Sequence, residues 1–232
     1  MIFDKIIWLD STDSTQEEVK RGNFDYNTVV VANVQSKGRG RSGNRWISQK
    51  GGLYFSILID PSEFRSLNHI PLLIGLGVCL YLESLSLRPF LKWPNDVYCK
   101  GRKICGILSE RVRDKLVVGV GFNVNQDKFP EGLNAVSLYK LKGEVYRLPE
   151  VLIGLLYYIS KVIEDFGKKD FINIREEINE RLLYKGSEII VKTQPPVVGI
   201  LEGISEKGFL QVLTSEGLKE ISGGEFTLRP II

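Results

Sequence analysis

Residues 34–46 read VQSKGRGRSGNRW. Within them, Gly38-Arg39-Gly40-Arg41-Ser42-Gly43 fits G-x-G-x-x-G, the fingerprint of a dinucleotide-binding strand–turn–helix unit. That unit needs a helix to begin at the glycines, so that its first amides face a pyrophosphate. The residues that follow, NRWISQKGGLYFSILI, hold Gly51-Gly52 and then strand-like alternation, with no helical stripe. A doubly wound dinucleotide fold is therefore excluded. A Walker A loop is excluded too, because no Gly-Lys-Ser/Thr closes the stretch.

Outward from the loop, Thr28–Val34 and Leu53–Ile59 are strands, and Ile2–Leu9 opens the chain as another. Ser14 and Glu17 have capping-box spacing for a short helix that Gly22 closes. Ile70–Leu85 reads as a buried helix and Phe90–Trp93 as a short strand. Asp96–Ser109 is a hairpin turning at Lys100-Gly101, and Lys115–Phe122 is a further strand. Residues 148–166 and 170–184 carry helical periodicity, with Pro149 near a helix start. Strands and helices do not alternate regularly, so the class is α+β. From Gly186 the chain becomes short strands spaced by turn residues, the pattern of a small barrel-like domain. The expected division is 1–185 and 186–232.

Composition narrows the function. Of 232 residues, 43% are hydrophobic and 25% charged, and the net charge of +3 is too small for a general polyanion binder. Between Tyr26 and Ile59 there is no acid, whereas Lys37, Arg39, Arg41, Arg45 and Lys50 all fall there, so a local anion site is expected. Cys79, Cys99 and Cys105 have neither disulfide-framework nor zinc spacing, which suits a reducing cytoplasm. MIFDKIIWLD lacks the basic start of a signal peptide. The longest apolar stretch, Ile70–Leu82, is short for a bilayer, so no membrane association is expected. His69 is the only histidine, and any Ser-His-Asp or Cys-His triad would have to use it. No motif surrounds it, and a surface or helix-cap position is expected.

Two constellations carry chemistry. In the loop, glycines bring backbone amides close to a ligand, and arginines fork onto carboxylate or phosphate. Trp46 could cover a ring. The second is LKWPNDVYCKGRKICGILSE, Leu91–Glu110. Pro94 biases Trp93 toward extended backbone. Asp96 could hold Mg²⁺, take a proton, or merely cap a turn. Lys103, on the return arm, can lie near Asp96, and Gly106 could admit a ligand close to the backbone.

GRGRSGNRW, KWPNDV, GRKICGILSE, VVGVGFNVN and DSTQ occur here in one order. Together they resemble the bacterial biotin protein ligases over essentially the whole chain. The resemblance implies a mixed β-sheet flanked by helices, of the class II synthetase type, followed by an SH3-like barrel. It implies that biotin and ATP give biotinyl-5′-AMP, and that a lysine of a biotin carboxyl carrier protein then takes the biotin. The first strand begins almost at Met1, so the form without a DNA-binding domain is expected, with no DNA binding. A homodimer is compatible, since dimers are common in that family.

By the same resemblance, Lys103, Arg39, Arg41 and Asp96 would be catalytic. Ser14, Thr15, Gln16, Gln35, Gly38 and Gly40 would bind biotin together with Arg39, Arg41 and Lys103, between walls formed by Gly106, Ile107, Gly119 and Val120. ATP would meet Arg39, Arg41, Arg45, Lys92, Asn95, Asp96 and Lys103, with Trp46 and Asn123 flanking adenine and Mg²⁺ near Asp96. Many members continue GRGR-x-G with arginine. Here that position is Asn44, followed by Arg45. Two alternatives stay open: a lipoate ligase, with the same adenylate chemistry, and a non-catalytic nucleic-acid-binding module built on the C-terminal strands.

Overall fold

The computed structural model describes residues 3, 5–64, 66–168 and 171–228. Seven strands build the main sheet: β1 (Lys5–Leu9), β2 (Thr28–Ala32), β3 (Leu53–Ile59), β4 (Pro89–Lys92), β5 (Asp96–Cys99), β6 (Arg102–Val112) and β7 (Lys115–Phe122). Their order is β1-β2-β3-β7-β6-β5-β4. β1 runs parallel to β2 and the other neighbours are antiparallel, so the sheet is mixed. β3 is buried along its whole length because helices cover both faces. On one face lies α1 (Thr15–Arg21), whose Val19 packs with Val30, Leu58 and Val117. The other face holds the main core under α2 (Ile70–Ser84) and α4 (Leu148–Lys168), with α3 (Leu138–Lys142) and α5 (Phe171–Glu180) at the margins.

The stretch Leu67–Ser84 is long and apolar enough to cross a membrane by length and composition, but 67% of it is buried in the fold. It is the central core helix. Gly77 lets α2 and α4 approach: a Cβ there would stand 2.8 Å from the Ile159 Cα. The outer edge of β4 is covered, because Leu91 N–H donates to Arg181 O and its carbonyl accepts from Leu183 N–H.

The tail forms β8 (Glu188–Val191), β9 (Val197–Ile204), β10 (Leu210–Thr214), β11 (Gly217–Ile221) and β12 (Phe226–Leu228). They make one antiparallel sheet in the order β11-β10-β9-β8-β12, and the end strands are not paired with each other among the described residues. The turn between β9 and β10 rests on the main domain: Trp93 Nε1 donates to Gly208 O at 2.9 Å.

His69 stands at the N-cap position of α2, one of the two places expected for it, but it is not on the surface: it is 6% exposed, and its side chain makes no cap hydrogen bond. Its ring stacks on Phe171 at 3.7 Å, and Nε2 lies 2.8 Å from Glu206 O. A carbonyl can only accept, so the proton sits on Nε2, and buried Nδ1 has no hydrogen-bond partner. Burial lowers the His69 pKa, partly opposed by the hydrogen bond to Glu206. A depressed histidine pKa contributes stability above its unfolded value of about 6.5, lost as pH falls through the folded pKa. The Tm of the native chain should therefore fall more between pH ~7.5 and ~5 than that of His69→Gln, which keeps a donor but does not titrate. Parallel melting profiles of the two proteins would exclude this linkage.

Candidate active site

The β5–β6 hairpin sets the centre of the site. Lys100 and Gly101 both have positive φ, the conformation that two-residue hairpin turns favour. A register shift between Val97 and Tyr98 places Asp96 opposite Gly106 and Tyr98 opposite Lys103. Lys103 Nζ then lies 2.7 Å from Asp96 Oδ1 and 5.2 Å from the centre of the Trp46 ring. Burial pushes the Asp96 pKa up, and Lys103, Lys92 and Arg41 pull it back. Lys92, whose Nζ stands over the Tyr98 and Phe226 rings, has its pKa lowered, chiefly by burial.

These groups open onto a cavity of about 290 Å³. Its far end is Ser14, Thr15 and Gln16 at the start of α1, facing Gly119 on β7 and Ser56 on β3. Gln16 Nε2 donates to Leu108 O and Val117 O, while its Oε1 accepts from the Ser56 hydroxyl. Gln35 Oε1 accepts from the Thr15 amide at 2.8 Å. This network fixes an apolar slot, walled by Phe55, Ile107 and Val120, with polar atoms at its end. Ser14 has the backbone of an N-cap, but its side chain makes no cap hydrogen bond. The expected capping box is not formed, and the buried Ser14 lines the cavity instead.

Residues 38–46 form a tight loop over the mouth, as the missing helix required. Trp46 N–H donates to Gly38 O, and Gly40 N–H to Asn44 O. Ser42 and Gly43 turn the chain through positive φ. The Trp46 ring lies so close to β6 and β7 that a Cβ at Gly106 would stand 2.7 Å from its Cζ3, and one at Gly121 would overlap it. Arg41 Nη1 donates to Asn95 Oδ1 at 3.1 Å, and Asn95 Nδ2 donates to Ile107 O. Arg39 borders the cavity but turns away from Arg41, with its guanidinium against Glu17 and Glu110.

The cavity gathers Ser14, Thr15, Gln16, Gln35, Arg39, Gly40, Arg41, Arg45 and Trp46 from the expected set. It also gathers Lys92, Asn95, Asp96, Lys103, Gly106, Ile107, Gly119 and Val120. Gly38 and Asn123 are not among its lining. A Cβ at Gly38 would meet Trp46 O and Ser48 Oγ, so this glycine serves closure of the loop rather than the cavity. Asn123 is buried, its backbone N–H bound to Ile104 O and its side-chain oxygen accepting from Gln126. Unforeseen lining residues are Phe55, Ser56, Trp93, Pro94, Tyr98, Leu108, Gly121 and Glu225, while Asn44 stands there beside Arg45. Gly121 was legible as the next same-face position after Gly119. Nothing local marks Glu225, which arrives from the tail.

A cation–carboxylate pair, an arginine-bearing loop and a slot of apolar walls make a site suited to an anionic small molecule. Sequence comparison agrees. The profile of the biotin/lipoate A/B protein ligase family matches residues 8–127, and that of the biotin protein ligase C-terminal domain matches 185–229. The chain belongs to the biotin/lipoate A/B protein ligase family. It is 32% identical to the bifunctional ligase/repressor BirA of Bacillus subtilis, over 95% of this chain and 72% of that one. It is 33% identical to the biotin–[acetyl-CoA-carboxylase] ligase of Mycobacterium tuberculosis, over 78% and 71%. Its fold superposes on the Aquifex aeolicus biotin protein ligase solved with biotin and ATP, at a TM-score of 0.92 and 45% identity, covering 98% and 99% of the two chains.

Proposed function

We propose that this chain is an ATP-dependent biotin protein ligase, with residues 1–185 as the catalytic unit and 186–232 as the C-terminal unit. The observation that carries the proposal is Lys103, set 2.7 Å from Asp96 between a polar-ended slot and a rim bearing Arg41, Asn95 and Lys92. Biotin enters the slot with its ureido ring toward Ser14, Thr15 and Gln16. Its carboxylate then faces Lys103. A carboxylate oxygen attacks the α-phosphorus of ATP, the bond to the β-phosphate breaks, and pyrophosphate leaves. Lys103 and Arg41 offset the repulsion between the two anions in a site with little water. Trp46 closes the lid and offers its ring to the adenine.

In the second step the amine of a carrier-domain lysine attacks the acyl carbon, the acyl–phosphate bond breaks, and AMP leaves. A lysine ammonium of pKa about 10.4 must first lose a proton. Asp96, whose pKa burial raises, is placed to take it. Among the described residues no cluster of three or more His, Cys, Asp or Glu is gathered for a metal. A single carboxylate fits Mg²⁺ that takes most of its ligands from nucleotide phosphates and water. Asp96 would hold that ion, and the bound ion would offset phosphate charge. Cys79, Cys99 and Cys105 are free and buried, which supports a reducing compartment.

The polar end of the slot favours the ureido ring of biotin over the dithiolane of lipoate. Biotin-dependent exchange of pyrophosphate into ATP tests this, and exchange supported by lipoate instead would reverse the assignment. Gly119→Ala tests the slot itself. The added Cβ would overlap Gln16 Oε1, which three hydrogen bonds hold in place through its amide. Overpacking of this kind costs about 1–3 kcal/mol. The KM for biotin is expected to rise about tenfold or more, with the KM for ATP little changed. An unchanged biotin KM would place the ligand elsewhere.

A further inference from the structure

The loop crosses the mouth of the site with one arginine on each side. Arg41 reaches Asn95, on the rim that also carries Lys92. Arg39 reaches the opposite wall, where its guanidinium pairs with Glu17 of α1 and lies 3.4 Å from Glu110 of β6. Lys20 joins the same two carboxylates, at 2.9 Å from Glu17 and 2.6 Å from Glu110. Two acids thus share two cations, one fixed on α1 and one carried by the loop. Lifting the loop leaves both acids with Lys20 alone. Among the described residues this is the loop's only ion pair with the rest of the protein, since Arg45 bonds to Ser36 O within the same segment.

We infer that Glu17 and Glu110 are positioning residues that fasten the lid through Arg39, and that this anchor retains the reactive adenylate. The inference rests on the ligase function proposed above. It reassigns Arg39 from gripping the substrate to strutting the loop. The anchors sit on the walls they serve: Glu17 follows Gln16, and Glu110 lies two residues beyond Leu108 on the strand that bounds the cavity. The anchor is also reversible. Arg39 is 46% exposed, so each pair alone is weak, and the hold comes from one guanidinium meeting two carboxylates.

The test compares the full-length native chain, the Glu17→Gln/Glu110→Gln double variant and Lys20→Met. Trypsin cleavage within the loop of ligand-free protein reads the anchor without any chemistry. The double variant should be cut about threefold to tenfold faster. Lys20→Met leaves both carboxylates to Arg39 and should slow cleavage. With biotin and ATP, the double variant should form adenylate within about twofold of the native rate at saturation but release it about threefold to tenfold faster. Native-rate cleavage in the double variant, or faster cleavage in Lys20→Met, would overturn the anchor. Faster cleavage with native adenylate release would overturn its role in retention. A native chain that forms no adenylate would contradict the ligase function, while the cleavage rates still decide the anchor.

Discussion

Lys103→Ala is expected to slow formation of the biotinyl adenylate by about a hundredfold to a thousandfold. Among the described residues Lys103 is the one ammonium paired directly with Asp96, at 2.7 Å, and it lies between the slot and the rim that carries Lys92, Asn95 and Arg41. The reaction brings a carboxylate onto a phosphate, and a preorganised cation there is worth most where charge develops. Removing one such donor from an enzyme site costs about 2.7–4 kcal/mol. The variant also leaves the Asp96 carboxylate without its nearest cation, the largest of the influences that hold its pKa down against burial. Arginine should rescue poorly. A Cβ on Gly106 would lie 3.1 Å from Lys103 Cε, and the larger planar guanidinium has no comparable room under Trp46. Single-turnover conversion of radiolabelled ATP to adenylate gives the rate, with a thermal melt as the folding control. A folded Lys103→Ala protein that makes adenylate at near-native rate removes Lys103 from the chemistry.

Arg41→Gly acts on retention rather than formation alone. Arg41 spans from the loop to Asn95, which is itself fixed by hydrogen bonds in both directions with Ile107. In the proposed function that guanidinium meets the phosphate of the adenylate. A charge-assisted hydrogen bond there contributes about 1.5–3 kcal/mol. Glycine removes it and adds backbone freedom to a loop already holding Gly38, Gly40 and Gly43. Adenylate dissociation is expected to quicken about tenfold to a hundredfold, read by loss of labelled adenylate after rapid desalting. The liberated adenylate should then acylate exposed lysines on unrelated proteins. Dissociation at the native rate would count against the loop as a clamp.

The difference between Arg39 and Arg41 shows what local sequence can and cannot convey. Glycines and arginines in one short run announced an anion-facing loop, and the absent helix after Gly43 excluded the dinucleotide fold. Where each arginine points depends on Glu17, Glu110 and Asn95, residues on three other segments. The Asp96–Lys103 pair was legible because a two-residue hairpin turn brings the two arms together, but the register shift between Val97 and Tyr98 that sets their final pairing left no local mark. Ser14 was ambiguous because capping and ligand-facing serines share one spacing; the fold shows it lining the cavity without a cap hydrogen bond. His69 had an unremarkable neighbourhood in sequence, yet Phe171 and the Glu206 turn bury it from distant parts of the chain. Glu225 and Trp93 belong to the same class, since both depend on how the tail sheet seats against the main domain.

The most direct measurement is the intact mass of an apo biotin carrier domain incubated with this chain, biotin and Mg-ATP. The expected product is the carrier heavier by one biotinyl group on a single lysine, dependent on ATP and abolished by Lys103→Ala. A carrier of unchanged mass, or one modified only when lipoate replaces biotin, would contradict a biotin protein ligase.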